Sequence, residues 1–230
     1  MKMVNSRETT QEASPEQSRA RSVIGKIGVV ALAALAVTVP PYVTHKAVRY
    51  YVESRWTDEQ FLYHHLSESV LQKRAGVSCP DTIAGNKNIL GMALRNDGPS
   101  QVPGILIRKY LCQSVRDYAH SEDKSKLSQN ELVGVYVAVH EAEHVNNGNH
   151  HGTEAETHCV AFQKIPLFAK QLGASENEIS DMMDEQRKLY FNFYNPDYRT
   201  LQCRDGGTYD LDPAHPGMFP YTPSGQPALP

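Results

Sequence analysis

The feature that most constrains the fold of this chain is an apolar segment that carries two histidines and a glutamate at helical spacing. The segment reads Val-Ala-Val-His-Glu-Ala-Glu-His-Val over residues 137–145. Residues four apart lie on one face of a helix, so His140 and His144 can bind one zinc ion at about 2.0–2.1 Å. A random sequence of this composition would contain about 0.03 copies of His-Glu-x-x-His, so chance is a poor explanation. In this pattern Glu141 is the base that takes a proton from the attacking water.

The alternative to a metal site is a buried helix that carries these polar groups without a ligand. Each unpaired polar group would then cost about 1–3 kcal/mol. The body of this helix is apolar almost all round, which predicts a central, buried helix. The sequence therefore favours a metal site on a rigid central helix.

A catalytic zinc site usually has three protein ligands and one open position, so a third ligand is needed. Five of the ten histidines fall between residues 140 and 158. Thr153 is expected to begin the next helix through a capping box with Glu156, which leaves Glu154 as the preferred ligand by elimination. The other candidates are His150, His151, Glu156 and His158. His158 shares the helix face of Glu154 and could support a ligand instead of binding the metal.

An apolar stretch near the N-terminus predicts a membrane anchor. Residues 1–22 are polar and predict a disordered cytoplasmic tail. Residues 23–43 would span about 30 Å as a helix, which is enough to cross a hydrocarbon core. Basic residues ahead of this stretch predict a single-pass protein with its N-terminus inside and the rest outside the cell membrane. The alternative is a signal peptide cleaved near residues 34–36, which would give a secreted protein.

Charge and cysteine usage limit the partners and the compartment. A net charge of −3 and a pI near 6.4 give no basic surface, so we expect no nucleic-acid partner. Four widely spaced cysteines fit two disulfides in a domain outside the cytosol, and three pairings are open. These cysteines are Cys79, Cys112, Cys159 and Cys203.

Local signals predict a mainly α (α+β) domain over residues 44–204. Residues 45–75 are expected to be helical, and capping boxes open helices at Thr57, Ser128, Thr153 and Ser175. Short apolar runs at residues 89–94 and 105–107 predict strands of a small sheet. Residues 205–230 hold six prolines and four glycines, which predicts a flexible C-terminal tail.

The run from His140 to His144, followed by Glu154-Ala-Glu-Thr-His-Cys159, resembles the gluzincin type of zinc metallopeptidase. In particular it is similar to uncharacterised bacterial metallopeptidases that are secreted or membrane-anchored. The resemblance covers about residues 100–213, including Leu-Gln-Cys-Arg-Asp-Gly-Gly over residues 201–207. Two features differ from the usual gluzincin pattern, because the gap before Glu154 is shorter and a histidine stands where an aspartate is frequent.

The resemblance implies a zincin-like fold in which zinc is bound by His140, His144 and Glu154, with Glu141 as the catalytic base. The expected protein is a membrane-anchored extracytoplasmic peptidase, a hydrolase that depends on Zn²⁺ and cleaves a protein or peptide substrate. The alternative is a non-catalytic cell-envelope interaction domain in which zinc only joins two helices.

Overall fold

The computed structural model describes residues 49–94, 102–147, 153–192 and 199–211. The chain divides into two units, Met1–Arg55 and Trp56–Pro230. In the first unit, residues 49–53 are helical, and Arg49 Nε lies 2.6 Å from Glu53 Oε1.

The predicted tail at residues 1–22 and the predicted anchor at residues 23–43 lie outside the described residues. Among the helices that the structure describes, none combines the length and apolar character needed to cross a membrane. The anchor therefore stays a prediction from the sequence.

The described part of the second unit is built from five helices and three short strands. In chain order these are α1 (Asp58–Ser67), β1 (Gly76–Ser78), β2 (Gly91–Leu94), β3 (Gly104–Ile107), α2 (Lys109–His120), α3 (Gln129–Asn147), α4 (Glu154–Gln171) and α5 (Glu176–Asn192). This confirms the prediction of a mainly helical domain with a small sheet. The stretch 45–75 was expected to be helical throughout, but its described part holds two separate helical segments, residues 49–53 and Asp58–Ser67, and residues 68–75 are not helical.

Polar side chains begin the helices where the sequence predicted. Full capping boxes form at Thr57, Ser128 and Ser175, and Thr153 Oγ1 accepts a hydrogen bond from the backbone N–H of Glu156. Helix α4 continues past Pro166 and ends before Gly173, whose φ of +89° suits glycine. The capping hydrogen bonds at the helix starts satisfy backbone N–H groups that a helix end otherwise leaves unpaired.

The three strands form one sheet in the order β1-β3-β2. Strand β1 runs parallel to β3 and β2 runs antiparallel to it, so β2 is an edge strand among the described residues. Ile105 and Ile107 of β3 are fully buried and pack into the core. Helix α3 packs against β2 and β3 and also against α2 and α4.

Helix α3 is the centre of the domain, and nearly every residue from Gly134 to Val145 is buried. At Gly134 a Cβ would lie 2.9 Å from the backbone oxygen of Leu111, so the glycine lets α2 approach α3 closely. A helix enclosed on every side is held rigidly, which a metal site requires of the helix that carries its ligands.

Both disulfides predicted from the four cysteines are present. Cys79 pairs with Cys112, which ties the residue after β1 to α2. Cys159 pairs with Cys203, which ties α4 to the segment 199–211. Gln163 of α4 holds the same segment by donating to Tyr209 O at 2.7 Å and accepting from Leu211 N at 2.8 Å. Residues 205–211 are thus fastened to α4, whereas residues 212–230 lie outside the described residues.

Candidate metal centre

Three side chains from α3 and α4 converge on one point. His140 and His144 lie one turn apart on α3, and their Nε2 atoms are 3.1 Å apart. Glu154 stands in the first turn of α4, and its Oε2 lies 3.3 Å from each of these nitrogens. The three atoms form a nearly equilateral triangle in which every atom can face one shared ion.

The triangle fits a zinc ion. For ligand bonds of about 2.05 Å, edges of 3.1–3.3 Å correspond to ligand–metal–ligand angles of about 98–107°, near the tetrahedral value of about 109°. Two imidazoles and a carboxylate are a donor set that suits Zn²⁺. The side chain of Glu154 is 46% exposed and that of His140 only 10%, so the triangle opens to solvent on the α4 side.

The other candidate ligands do not join the triangle in the part of the chain that the structure describes. The side chains whose ligand atoms lie close enough to share an ion are those of His140, His144 and Glu154. Glu156 and His158 are described and do not join this group. His150 and His151 lie outside the described residues.

Glu154 carries a negative charge at neutral pH. Hydrogen bonding from His140 and the nearby imidazole charges lower the pKa of Glu154 to about 2, against the opposing effect of partial burial. The carboxylate therefore needs no deprotonation before it binds a cation.

Two buried rings lie behind His140. The hydroxyl of Tyr136 is 3.3 Å from His140 Nδ1, the ring nitrogen that does not face the triangle. The ring of His158 packs edge-on against the ring of His140, with their centroids 4.8 Å apart. Burial, followed by the charge of His140, lowers the pKa of His158 to about 3, so His158 is neutral at physiological pH. Both residues can orient His140, and His158 adds no charge to the site.

Glu141 lies beside the triangle, buried between α3 and β2. A Cβ added at Gly91 would be 2.6 Å from Glu141 Oε1, and the backbone N–H of Ala93 donates a hydrogen bond to the carboxyl. Burial raises the pKa of Glu141 to about 7, with a smaller increase from the charge of Glu154, while His140 and the Ala93 N–H lower it. A carboxyl placed beside the triangle is within reach of water held there, and it can accept a proton from that water and return it.

The edge of β2 presents backbone groups next to Glu141. Arg108 N donates to Leu90 O at 3.0 Å, which makes these two residues a hydrogen-bonded pair of the antiparallel ladder. Such pairs alternate along the ladder, so the backbone groups of Gly91 and Ala93 point away from β3. The Ala93 N–H that reaches Glu141 belongs to this outward-pointing set.

A buried polar network on α3 fixes the helix that carries the histidines. Both carboxylate oxygens of Glu143 lie 2.8 Å from Lys164 Nζ of α4. Asn146 donates to Glu143 at 2.8 Å and to Val70 O at 2.9 Å, and it accepts from Gln72 N at 2.7 Å. Glu143 is therefore committed to joining α3 with α4 and the segment after α1, and it does not reach the metal centre.

Sequence reasoning missed three contributors to this site. Tyr136 stands four residues before His140, so helical spacing alone could have placed it on the same face. Gly91 and Ala93 carry no local signal, because their role depends on how a distant strand packs against α3.

The chain matches no protein-family model, no curated protein and no solved structure. The likeness to gluzincins therefore rests on the residues of the motif alone.

Proposed function

We propose that this chain is a membrane-anchored, extracytoplasmic, zinc-dependent peptidase of the gluzincin type. The observation that carries the proposal is the triangle of His140, His144 and Glu154 with the Glu141 carboxyl beside it. A location outside the cytosol agrees with the two disulfides and with the apolar stretch at residues 23–43.

The roles follow from where the side chains lie. The two histidines and Glu154 would hold the ion, and Tyr136 would keep His140 turned with Nε2 toward it. A zinc ion held by these groups would supply Lewis acidity and lower the pKa of water to about 7. Glu141 would accept a proton from the attacking water and return it to the leaving nitrogen.

A peptide substrate is supported by the edge of β2. An extended peptide can add to an open sheet edge through main-chain hydrogen bonds. The outward-pointing N–H and C=O of Gly91 and the C=O of Ala93 would make those bonds, and they lie directly beside Glu141. Pairing there would bring a peptide backbone to the carboxyl that moves the proton.

The alternative function uses the same ligands without catalysis. Because the three ligands come from two helices, a zinc ion there would also join α3 to α4 and stabilise the fold. In this case zinc would bind, no peptide would be cleaved, and protein groups would fill the whole coordination sphere.

The test is the substitution Glu141→Gln in the full chain, assayed on labelled casein and on a mixed peptide library. We expect unchanged zinc content and a loss of hydrolysis of about 10²–10⁴-fold, the usual contribution of a general base. The matched control is Glu156→Gln, which removes a carboxyl from the same turn of α4 as Glu154 without removing a ligand.

Three results distinguish the peptidase from the non-catalytic, zinc-stapled domain. Full hydrolysis by Glu141→Gln would contradict the mechanism. Stoichiometric zinc in a wild-type protein that cleaves nothing in the library would favour the zinc-stapled domain. Wild-type protein that takes up no zinc would reject both.

A further inference from the structure

A row of apolar side chains lies on the outer face of the sheet beside the metal centre. Side chains of a strand alternate between its two faces, and Gly91 and Ala93 face α3. Leu90, Met92 and Leu94 therefore point to the opposite face. Leu90 is 37% exposed and Leu94 is 43% exposed, so water covers much of this row.

The row belongs to the same strand edge that would pair with a peptide. A strand added beside β2 has the same alternation, so every second side chain would lie next to Leu90, Met92 and Leu94. The other side chains would point toward α3 and the metal centre. Contact with an apolar side chain on the outer face would remove exposed apolar surface of both partners from water.

We propose that the outer row of β2 selects substrates, so that the site takes extended peptides whose apolar side chains recur at every second residue. This proposal rests on the proposed function for the position of the peptide on β2. It assigns Met92, at the centre of the row, the largest contact with the bound peptide. Leu106 of β3 lies opposite Met92 and extends the apolar surface away from the edge.

The first experiment measures binding rather than cleavage, with the zinc-loaded Glu141→Gln variant of the full chain. Two dodecapeptides of the same composition are compared, one with alternating Leu and Thr and one with the order Leu-Leu-Thr-Thr repeated. We expect the alternating peptide to bind at least about tenfold more tightly, the ratio for 1.4 kcal/mol. Equal binding of the two peptides would overturn the proposal.

The second experiment reverses the preference with a charge. Met92→Lys should weaken binding of the alternating Leu peptide about tenfold and strengthen binding of a matched peptide with alternating Glu. Ser78→Lys is the matched control, because Ser78 of β1 lies in the same row across the sheet, with β3 between it and the edge. Leu94→Lys serves as a second variant if Met92→Lys fails to fold in thermal melting.

The outcomes of the two proposals are distinguishable. If the protein prefers the alternating peptide but cleaves nothing, the proposal that the outer row of β2 selects peptides is supported and the peptidase is rejected. If it cleaves both peptides at equal rates, the peptidase is supported and selection by the outer row of β2 is rejected. If Met92→Lys changes the sedimentation of the protein and leaves peptide preference unchanged, the row is an interface between copies and the proposal fails.

Discussion

The imidazole of His140 is held from behind by the hydroxyl of Tyr136, 3.3 Å from Nδ1. When the lone pair of Nε2 points toward a metal, Nδ1 carries the ring proton and donates a hydrogen bond to the Tyr136 oxygen. We expect Tyr136→Phe to weaken zinc binding about tenfold, the lower end of the effect of losing such a partner. Competition with a chromogenic chelator measures the change.

The control for this variant is Tyr118→Phe. Tyr118 of α2 is equally buried, but its hydroxyl makes no hydrogen bond among the described residues. Its loss should leave zinc affinity unchanged. If both variants weaken zinc binding equally, the effect comes from core packing and not from the Tyr136 hydroxyl.

Burial of Glu141 predicts how the metal-free protein responds to pH. Its folded pKa of about 7 lies above the value of 4.5 of a glutamate in an unfolded chain, so between these two pH values the folded chain holds a proton that the unfolded chain has lost. The associated stability is present below pH 4.5 and is lost as the pH rises through 7. The amide of the Glu141→Gln variant does not titrate, so this variant escapes the loss. The difference in free energy of unfolding between metal-free Glu141→Gln and metal-free wild type should therefore grow by about 3 kcal/mol in favour of the variant between pH 4.5 and 8.

Urea titrations of both metal-free proteins at several pH values would measure this difference, since other titrating groups are common to the two chains. A constant difference in free energy of unfolding across this range would show that Glu141 titrates normally. Zinc should remove the effect, because a nearby cation favours the ionised carboxylate.

Single residues were predictable from the sequence where spacing along one helix decides the geometry. His140 and His144 are such a pair. Glu154 was preferred because a capping box was predicted between Thr153 and Glu156, although the structure shows only the bond from the Glu156 backbone N–H to Thr153. The partner of Glu143 was not predictable, because Lys164 lies 21 residues away and approaches only when α3 packs on α4. Interactions between elements leave no periodic signal in either segment.

Strand β2 and helix α3 meet at Gly91, where only a hydrogen atom fits. An added Cβ would lie 2.6 Å from both Val137 Cγ1 and Glu141 Oε1. Gly91→Ala should therefore push β2 from α3, cost about 1–3 kcal/mol by overpacking, and displace the Glu141 carboxyl. Thermal melting and the hydrolysis assay should both report a loss.

Gly76→Ala is the matched control, because Gly76 is also a strand residue and a Cβ there meets nothing within 4 Å. It should leave both stability and hydrolysis nearly unchanged. Similar losses in the two variants would show that any side chain is harmful in this sheet, and that contact with Glu141 is not the reason.

The elements themselves were predictable to the extent that local chemistry sets them. Capping residues such as Thr57 and Ser175 located helix starts within the chain, since a cap needs only residues three positions away. Strand β1 has no such signal, because Gly76–Ser78 is three residues long and is a strand only through pairing with β3. For the same reason, the sequence did not reveal that β2 lies at an edge of the sheet.

The whole domain is closed by two disulfides that act on different parts of it. The bridge Cys79–Cys112 spans 33 residues, and Cys159–Cys203 spans 44 residues. Four spaced cysteines predicted two bridges, but pairing depends on which segments the fold brings together. The second bridge fastens the segment 199–211 to α4, the helix whose first turn carries Glu154.

Loop closure predicts that each bridge contributes about 3.5–4 kcal/mol to stability, because cross-linking restricts the unfolded chain. We therefore expect Cys79→Ser/Cys112→Ser and Cys159→Ser/Cys203→Ser to lower the free energy of unfolding by similar amounts in urea. Their effects on zinc should differ, since Cys159 lies five residues after the candidate ligand Glu154, whereas Cys79 and Cys112 lie on neither of the helices that carry candidate ligands. Zinc affinity should fall in the Cys159 variant and stay near the wild-type value in the Cys79 variant. Equal zinc affinities in the two variants would show that the segment 199–211 has no part in holding α4 against α3 at the metal centre.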